Sequence, residues 1–99
     1  MSLSGRRALV TDAHTTSALA IVRSLGAAGM SVTPVRETGR FPLAAHSRFA
    51  ERAPVFPSAD DHPRAYMDAL VCEVRRGGYD VLITPTDSTI AIVRAARPE

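Results

Sequence analysis

The chain contains no lysine, no tryptophan and a single cysteine, Cys72. Without lysine there is no Gly-Lys-Ser/Thr segment, so a phosphate-cradling P-loop is excluded. One cysteine excludes an internal disulfide and a cysteine-cluster zinc site. Aromatic residues are also sparse: two tyrosines and three phenylalanines. A single-strand nucleic-acid reader interleaves basic and stacking residues, and no such segment is present. No apolar run approaches the ~18 residues of a membrane span. The N-terminal Met1–Arg7 stretch lacks the apolar core of a secretory signal, so a cytoplasmic location is expected. Neither a nucleic-acid partner nor a membrane partner is expected.

What is present suits one soluble domain. The 99 residues are 45% hydrophobic and 22% charged, a balance that supports one modest core and argues against disorder. The formal net charge is +2, carried entirely by arginines dispersed among the acids rather than clustered. Arginine to the exclusion of lysine, with abundant alanine, points to a GC-rich bacterial genome rather than to a polyanionic partner.

The pattern along the chain alternates strands and helices. Arg7–Thr11 is a short apolar run ending in polar residues, as a buried strand does. Asp12–Thr16 is a polar turn rich in capping residues. Ala18, Leu19, Ile21, Val22 and Leu25 recur at helical spacing, and Gly26 or Gly29 would end that helix. Ser31–Val35 reads as a second strand, with Pro34 marking its weak point. Glu37–Ala50 reads as a loop with one helical turn. Ala53–Phe56 is a short, proline-bounded third strand near an edge. Ser58, Asp61 and Pro63 start a second helix with an apolar stripe of Met67, Leu70, Val71 and Val74, closed by Gly77-Gly78. In that helix Cys72 reads as a buried structural thiol. Tyr79–Thr84 is the clearest strand. Pro85–Ser88 follows as a turn, and Ile90, Ile92 and Val93 begin a last helix. Strands separated by helices imply parallel pairing. The expected fold is therefore α/β: a three-layer, Rossmann-like domain over residues 1–99, with a mostly parallel four-stranded sheet in the order 3-2-1-4.

That order places a site. Open parallel sheets bind ligands beyond the carboxyl ends of their strands, where the strand order reverses. Here the reversal lies between the first and fourth strands. The residues expected there are Asp12, His14, Thr15 and Thr16 from one turn, and Thr84, Thr86, Asp87 and Ser88 from the other. Both turns open helices, so their backbone N–H groups can hold an anion. Arg36, just past the second strand, could hold a phosphate or carboxylate at the same rim. Each hydroxyl or aspartate taken singly is explained by helix capping; the two turns together favour a pocket. No His/Cys/Asp spacing points to a metal site, and none is expected in this chain. Gly-x-Ser-x-Gly and Gly-x-Gly-x-x-Gly are both absent, against a serine hydrolase and an NAD-binding domain. No catalytic residue is assigned.

Four segments in order carry a resemblance: Arg7–Asp12, Ser17–Gly29, Pro42–Phe49 with its Ala-x-Ser-Arg-Phe ending, and Tyr79–Asp87 with its Pro-Thr-Asp. Together they resemble the N-terminal pre-ATP-grasp domain of ATP-grasp ligases, in the carbamoyl-phosphate-synthase-like carboxylate–amine ligase group. The likeness spans nearly the whole chain. It implies a parent enzyme in which ATP phosphorylates a carboxylate and an amine then attacks the acyl phosphate. ATP and Mg2+ would bind later, nucleotide-binding domains, so this chain would hold no cofactor and be inactive alone. Its partners would be the remainder of its own chain and a small-molecule carboxylate substrate. A surface made to meet missing domains, including Ile90, Ile92 and Val93, could also drive self-association. Two other readings compete: a stand-alone Rossmann-like module binding a small anion without catalysis, and a nucleotide- or sugar-nucleotide-binding half of a transferase.

Overall fold

The computed structural model describes residues 5–50 and 52–85. Among these residues, five strands, two helices and one 3-10 turn follow in the order β1 (Arg7–Val10), α1 (Thr16–Ala27), β2 (Ser31–Pro34), β3 (Arg36–Glu37), the 3-10 turn (Leu43–His46), β4 (Val55–Phe56), α2 (Pro63–Gly77) and β5 (Val81–Ile83). A three-stranded parallel sheet has the order β2-β1-β5, with Ala8 paired to both Val32 and Val81. The central strand is thus the first in sequence. The chain moves from β1 to one neighbour and later returns to the other, so the order reverses between β1 and β5.

Alternation along β1 divides the core into two layers. Ala8 and Val10 pack with Ala18 and Val22 of α1, and with Met30, Val32 and Ala44. Leu9 faces the other way, toward Val35, Phe56, Ala59, Tyr66 and Leu70. With α1 on one face and α2 on the other, β1 is buried on both sides, which is why Arg7–Val10 reads as a continuous apolar run. Helix α1 begins at its expected turn. Thr15 is the N-cap, and its Oγ1 accepts the Ala18 N–H at 3.0 Å. The helix runs through Gly26 and ends at Ala27. A Cβ at Gly26 would collide with the Phe49 ring, so glycine there permits close approach rather than a turn. Helix α2 has Pro63 in its first turn and closes on Gly78 in the left-handed region (φ 64°).

The expected third strand exists, but not within the main sheet. β4 pairs in parallel with β3 as a separate two-stranded sheet. The cause is Pro34. Ser31 and Val35 direct their N–H groups to the carbonyls of Arg6 and Val10, whereas Arg36 directs its own to Pro54. Alternate N–H groups of a parallel strand face opposite neighbours, so position 34 faces the β4 side, where proline has none to donate. Pairing on that side is reduced to the isolated bridge between Val32 and Ala50 and the short β3–β4 pair.

Two further expectations are corrected. The buried stripe of α2 is Tyr66, Leu70 and Glu73, and Val71 and Val74 stand exposed. The helix is rotated because Tyr66 packs edge-on against Phe56 and because Glu73 turns inward to Arg52 and Tyr79. Cys72, next to Glu73 on that rotated helix, is exposed rather than buried. The expected last helix lies outside the described residues. No helix among the described residues is long and apolar enough to cross a membrane.

Candidate functional site

The turn between β1 and α1 lies over the carboxyl end of the sheet. Ala13 N–H donates to Val35 O at 3.0 Å, which ties the turn to the end of β2. Ala44 N–H donates to Ala13 O at 2.7 Å, which ties the 3-10 turn to the same place. Held from both sides, Asp12 sits at φ 61°, a left-handed conformation that aspartate tolerates better than most residues. Its side chain is buried, and Oδ2 accepts the Thr11 hydroxyl at 2.8 Å. The Thr15 hydroxyl donates to Asp12 O at 2.8 Å, so Thr15 closes the turn and caps the helix at once.

Asp12 and His14 are brought together with a residue that reading the sequence did not single out, Glu37. Glu37 lies on β3, with its side chain only 4% exposed. Its Oε1 accepts the Ala59 N–H at 2.9 Å, and its Oε2 lies 3.7 Å from His14 Nδ1. That nitrogen is buried and has no hydrogen-bond partner. One ligand-capable atom from each of Asp12, His14 and Glu37 falls within 4.8 Å of the other two. The outer part of the imidazole reaches solvent, with 21% of the His14 side chain exposed. This corner therefore joins two buried carboxylates to one partly accessible imidazole.

The other expected site residues separate into four groups. Thr16 is the first residue of α1 and exposed. Arg36 is half-buried, and strand alternation directs its side chain to the face opposite Glu37. Thr84 follows β5 directly and is half-buried. It stands beside the end of β1, where Thr11 N–H donates to Ile83 O at 3.0 Å. Thr86, Asp87 and Ser88 lie outside the described residues. Glu37 was legible only through that same alternation: of two charged residues ending a strand, one faces out and the next faces in.

The amino end of the sheet also buries a carboxylate, in a different setting. Arg52 Nη2 donates to both oxygens of Glu73 at 2.9 Å, and the Tyr79 hydroxyl donates to Oε2 at 2.6 Å. Burial alone would raise the Glu73 pKa, but the Tyr79 hydrogen bond and the Arg52 guanidinium outweigh it and hold it below the ordinary carboxylate value. Burial, joined by the hydrogen bond to Glu73, pushes the Tyr79 phenol up. Arg7 adds its guanidinium over the Tyr79 ring at 4.9 Å and also donates to Gly77 O. These contacts connect β1, α2, the segment leading into β5 and the segment before β4. No family model, curated protein or solved structure matches this chain.

Proposed function

We propose that this chain is the substrate-side N-terminal domain of an ATP-dependent carboxylate–amine ligase. In this reading β3–β4 is the displaced continuation of the main sheet, giving a four-stranded Rossmann-like order of 3-2-1-4. The observation that carries it is the polar corner at the reversal of strand order, where the Asp12–Thr16 turn and Thr84 flank the ends of β1 and β5. Ligands in open parallel sheets gather at such a point. The ordered sequence segments supply the choice of ligase; the corner supplies the wall of a substrate cleft. ATP and Mg2+ belong, in this reading, to domains outside residues 1–99. The lysine-free chain offers neither a P-loop lysine nor a glycine-rich phosphate loop, so no phosphoryl transfer is assigned to its own residues. They bind and orient: Thr84 and the Asp12–Thr16 turn would border the carboxylate substrate.

Sequencing the reading frame past codon 99 tests this directly, together with hydroxylamine trapping of acyl phosphate. The expected result is a continuation into ATP-binding domains, with trapping by the full-length protein and none by the 99-residue chain. A stop at codon 99, or acyl phosphate formed by the short chain, overturns the proposal.

A second reading is a stand-alone module that binds a small ligand at the same corner. It is favoured by the arrangement of Asp12, His14 and Glu37, all three of which lie among the described residues of this domain. The two buried carboxylates make a cationic or amine-bearing ligand the better electrostatic match than the anion expected from the helix-capping turns.

A further inference from the structure

We propose that Asp12, His14 and Glu37 form a binding site for a divalent first-row metal ion of the zinc type. Three observations carry the assignment, and none depends on the ligase reading. First, the donor set is one imidazole nitrogen and two carboxylate oxygens. That mixture suits Zn2+ and its neighbours better than Mg2+, which prefers oxygen alone and keeps most of its water.

Second, the spacing is close to that of a coordination shell. Bonds of about 2.0–2.2 Å to a tetrahedral ion leave donor atoms roughly 3.4 Å apart. The three atoms lie within 4.8 Å of one another, and His14 Nδ1 to Glu37 Oε2 is 3.7 Å. That contact is too long for a hydrogen bond. Side-chain adjustments of less than about 1 Å bring all three onto one ion.

Third, His14 and Glu37 are left under-satisfied by the protein in a way that a cation would correct. His14 Nδ1 is fully buried and has no hydrogen-bond partner. The Glu37 side chain is 4% exposed, and no arginine pairs with it among the described residues. A buried carboxylate is costly unless a cation or several donors meet it, and here one backbone N–H does so. Thr11 and Ala59 act behind the ligands: their hydrogen bonds to Asp12 Oδ2 and Glu37 Oε1 orient the carboxylates, as outer partners do in metal sites.

The site is tested by calorimetric titration of the chelator-treated 99-residue chain with Zn2+, alongside thermal unfolding with and without the ion. The chain is expected to bind one Zn2+ and to gain thermal stability with it. His14→Gln and Glu37→Gln should each weaken binding more than about tenfold, since even outer-shell changes cost about 10–100-fold. A His46→Gln/His62→Gln double variant should bind as the parent does. Circular dichroism establishes that each variant is folded. If Glu37→Gln does not fold, His14→Gln decides, because its side chain is partly at the surface. Absence of saturable binding, or binding and thermal gain that His14→Gln retains, overturns the site. Neither outcome involves ATP or a carboxylate, so the result is separate from the fate of the ligase reading.

Discussion

The two ends of the sheet bury carboxylates in opposite ways. At the amino end, Glu73 receives a guanidinium and a phenol, and its charge is neutralised within the fold. At the carboxyl end, Glu37 receives one backbone N–H and faces an imidazole across 3.7 Å. Both side chains are almost equally buried, at 7% and 4% exposed. Burial therefore does not distinguish them; the partners do. A carboxylate supplied with its own arginine holds elements together. One that faces a partly accessible imidazole, with no arginine paired to it among the described residues, is where the proposed ion would sit.

Removing the arginine should have the largest effect. Arg52→Ala leaves buried Glu73 with the Tyr79 hydroxyl and the more distant charge of Arg76. Breaking a buried pair costs about 3–5 kcal/mol, and the 40% exposure of Arg52 lets water recover part of it, so a loss of about 2 kcal/mol is expected in urea unfolding. A loss below about 0.5 kcal/mol would show that the amino-end network is not a structural clamp. The turn at the other end is held more lightly. Thr15→Ala removes the cap of α1 and the bond to Asp12 O, and about 1 kcal/mol should be lost.

Glu37→Gln sharpens the contrast. The amide oxygen still accepts the Ala59 N–H while the buried charge disappears, so metal-free stability should change by less than about 1 kcal/mol. A loss of about 3 kcal/mol or more would instead make Glu37 a structural residue like Glu73.

The finest test is pH. The folded-state pKa of Glu73 is depressed, so its contribution is complete above the ordinary carboxylate range and lost as pH falls through the folded value. The folded-state pKa of Tyr79 is raised, so its contribution is present below the ordinary phenol value and lost as pH rises through the folded one. Glu73→Gln should flatten the acid limb of the stability profile. An acid limb identical to the parent's would assign that limb to other carboxylates.

Much of the fold was legible because periodicity and punctuation are local properties. The apolar run of β1, the stripe of α1, the capping role within Asp12–Thr16 and the Gly77-Gly78 stop follow from short-range sterics and hydrogen bonding, and all are present. The weak point at Pro34 was also visible, since a missing N–H needs no tertiary context. The face of α2 was harder. Counting apolar residues selected Met67, Leu70, Val71 and Val74, but Glu73 faces inward because Arg52 and Tyr79 make its burial tolerable. Those partners come from 21 positions before it and six after.

The candidate site divides along the same line. Asp12 and His14 were apparent from the sequence, because a polar turn after a buried strand is a local signal at a predictable edge of a parallel sheet. Glu37 was not, because its nearness to His14 depends on parallel pairing of β1 and β2 and on the Ala13–Val35 hydrogen bond. By itself, then, the sequence determined the types of β1, α1, β2, α2 and β5 and the polar turn that enters the candidate site. Only tertiary structure decided which charged residue of β3 turns inward to complete the cluster, because strand register converts a shift of one residue into the opposite face.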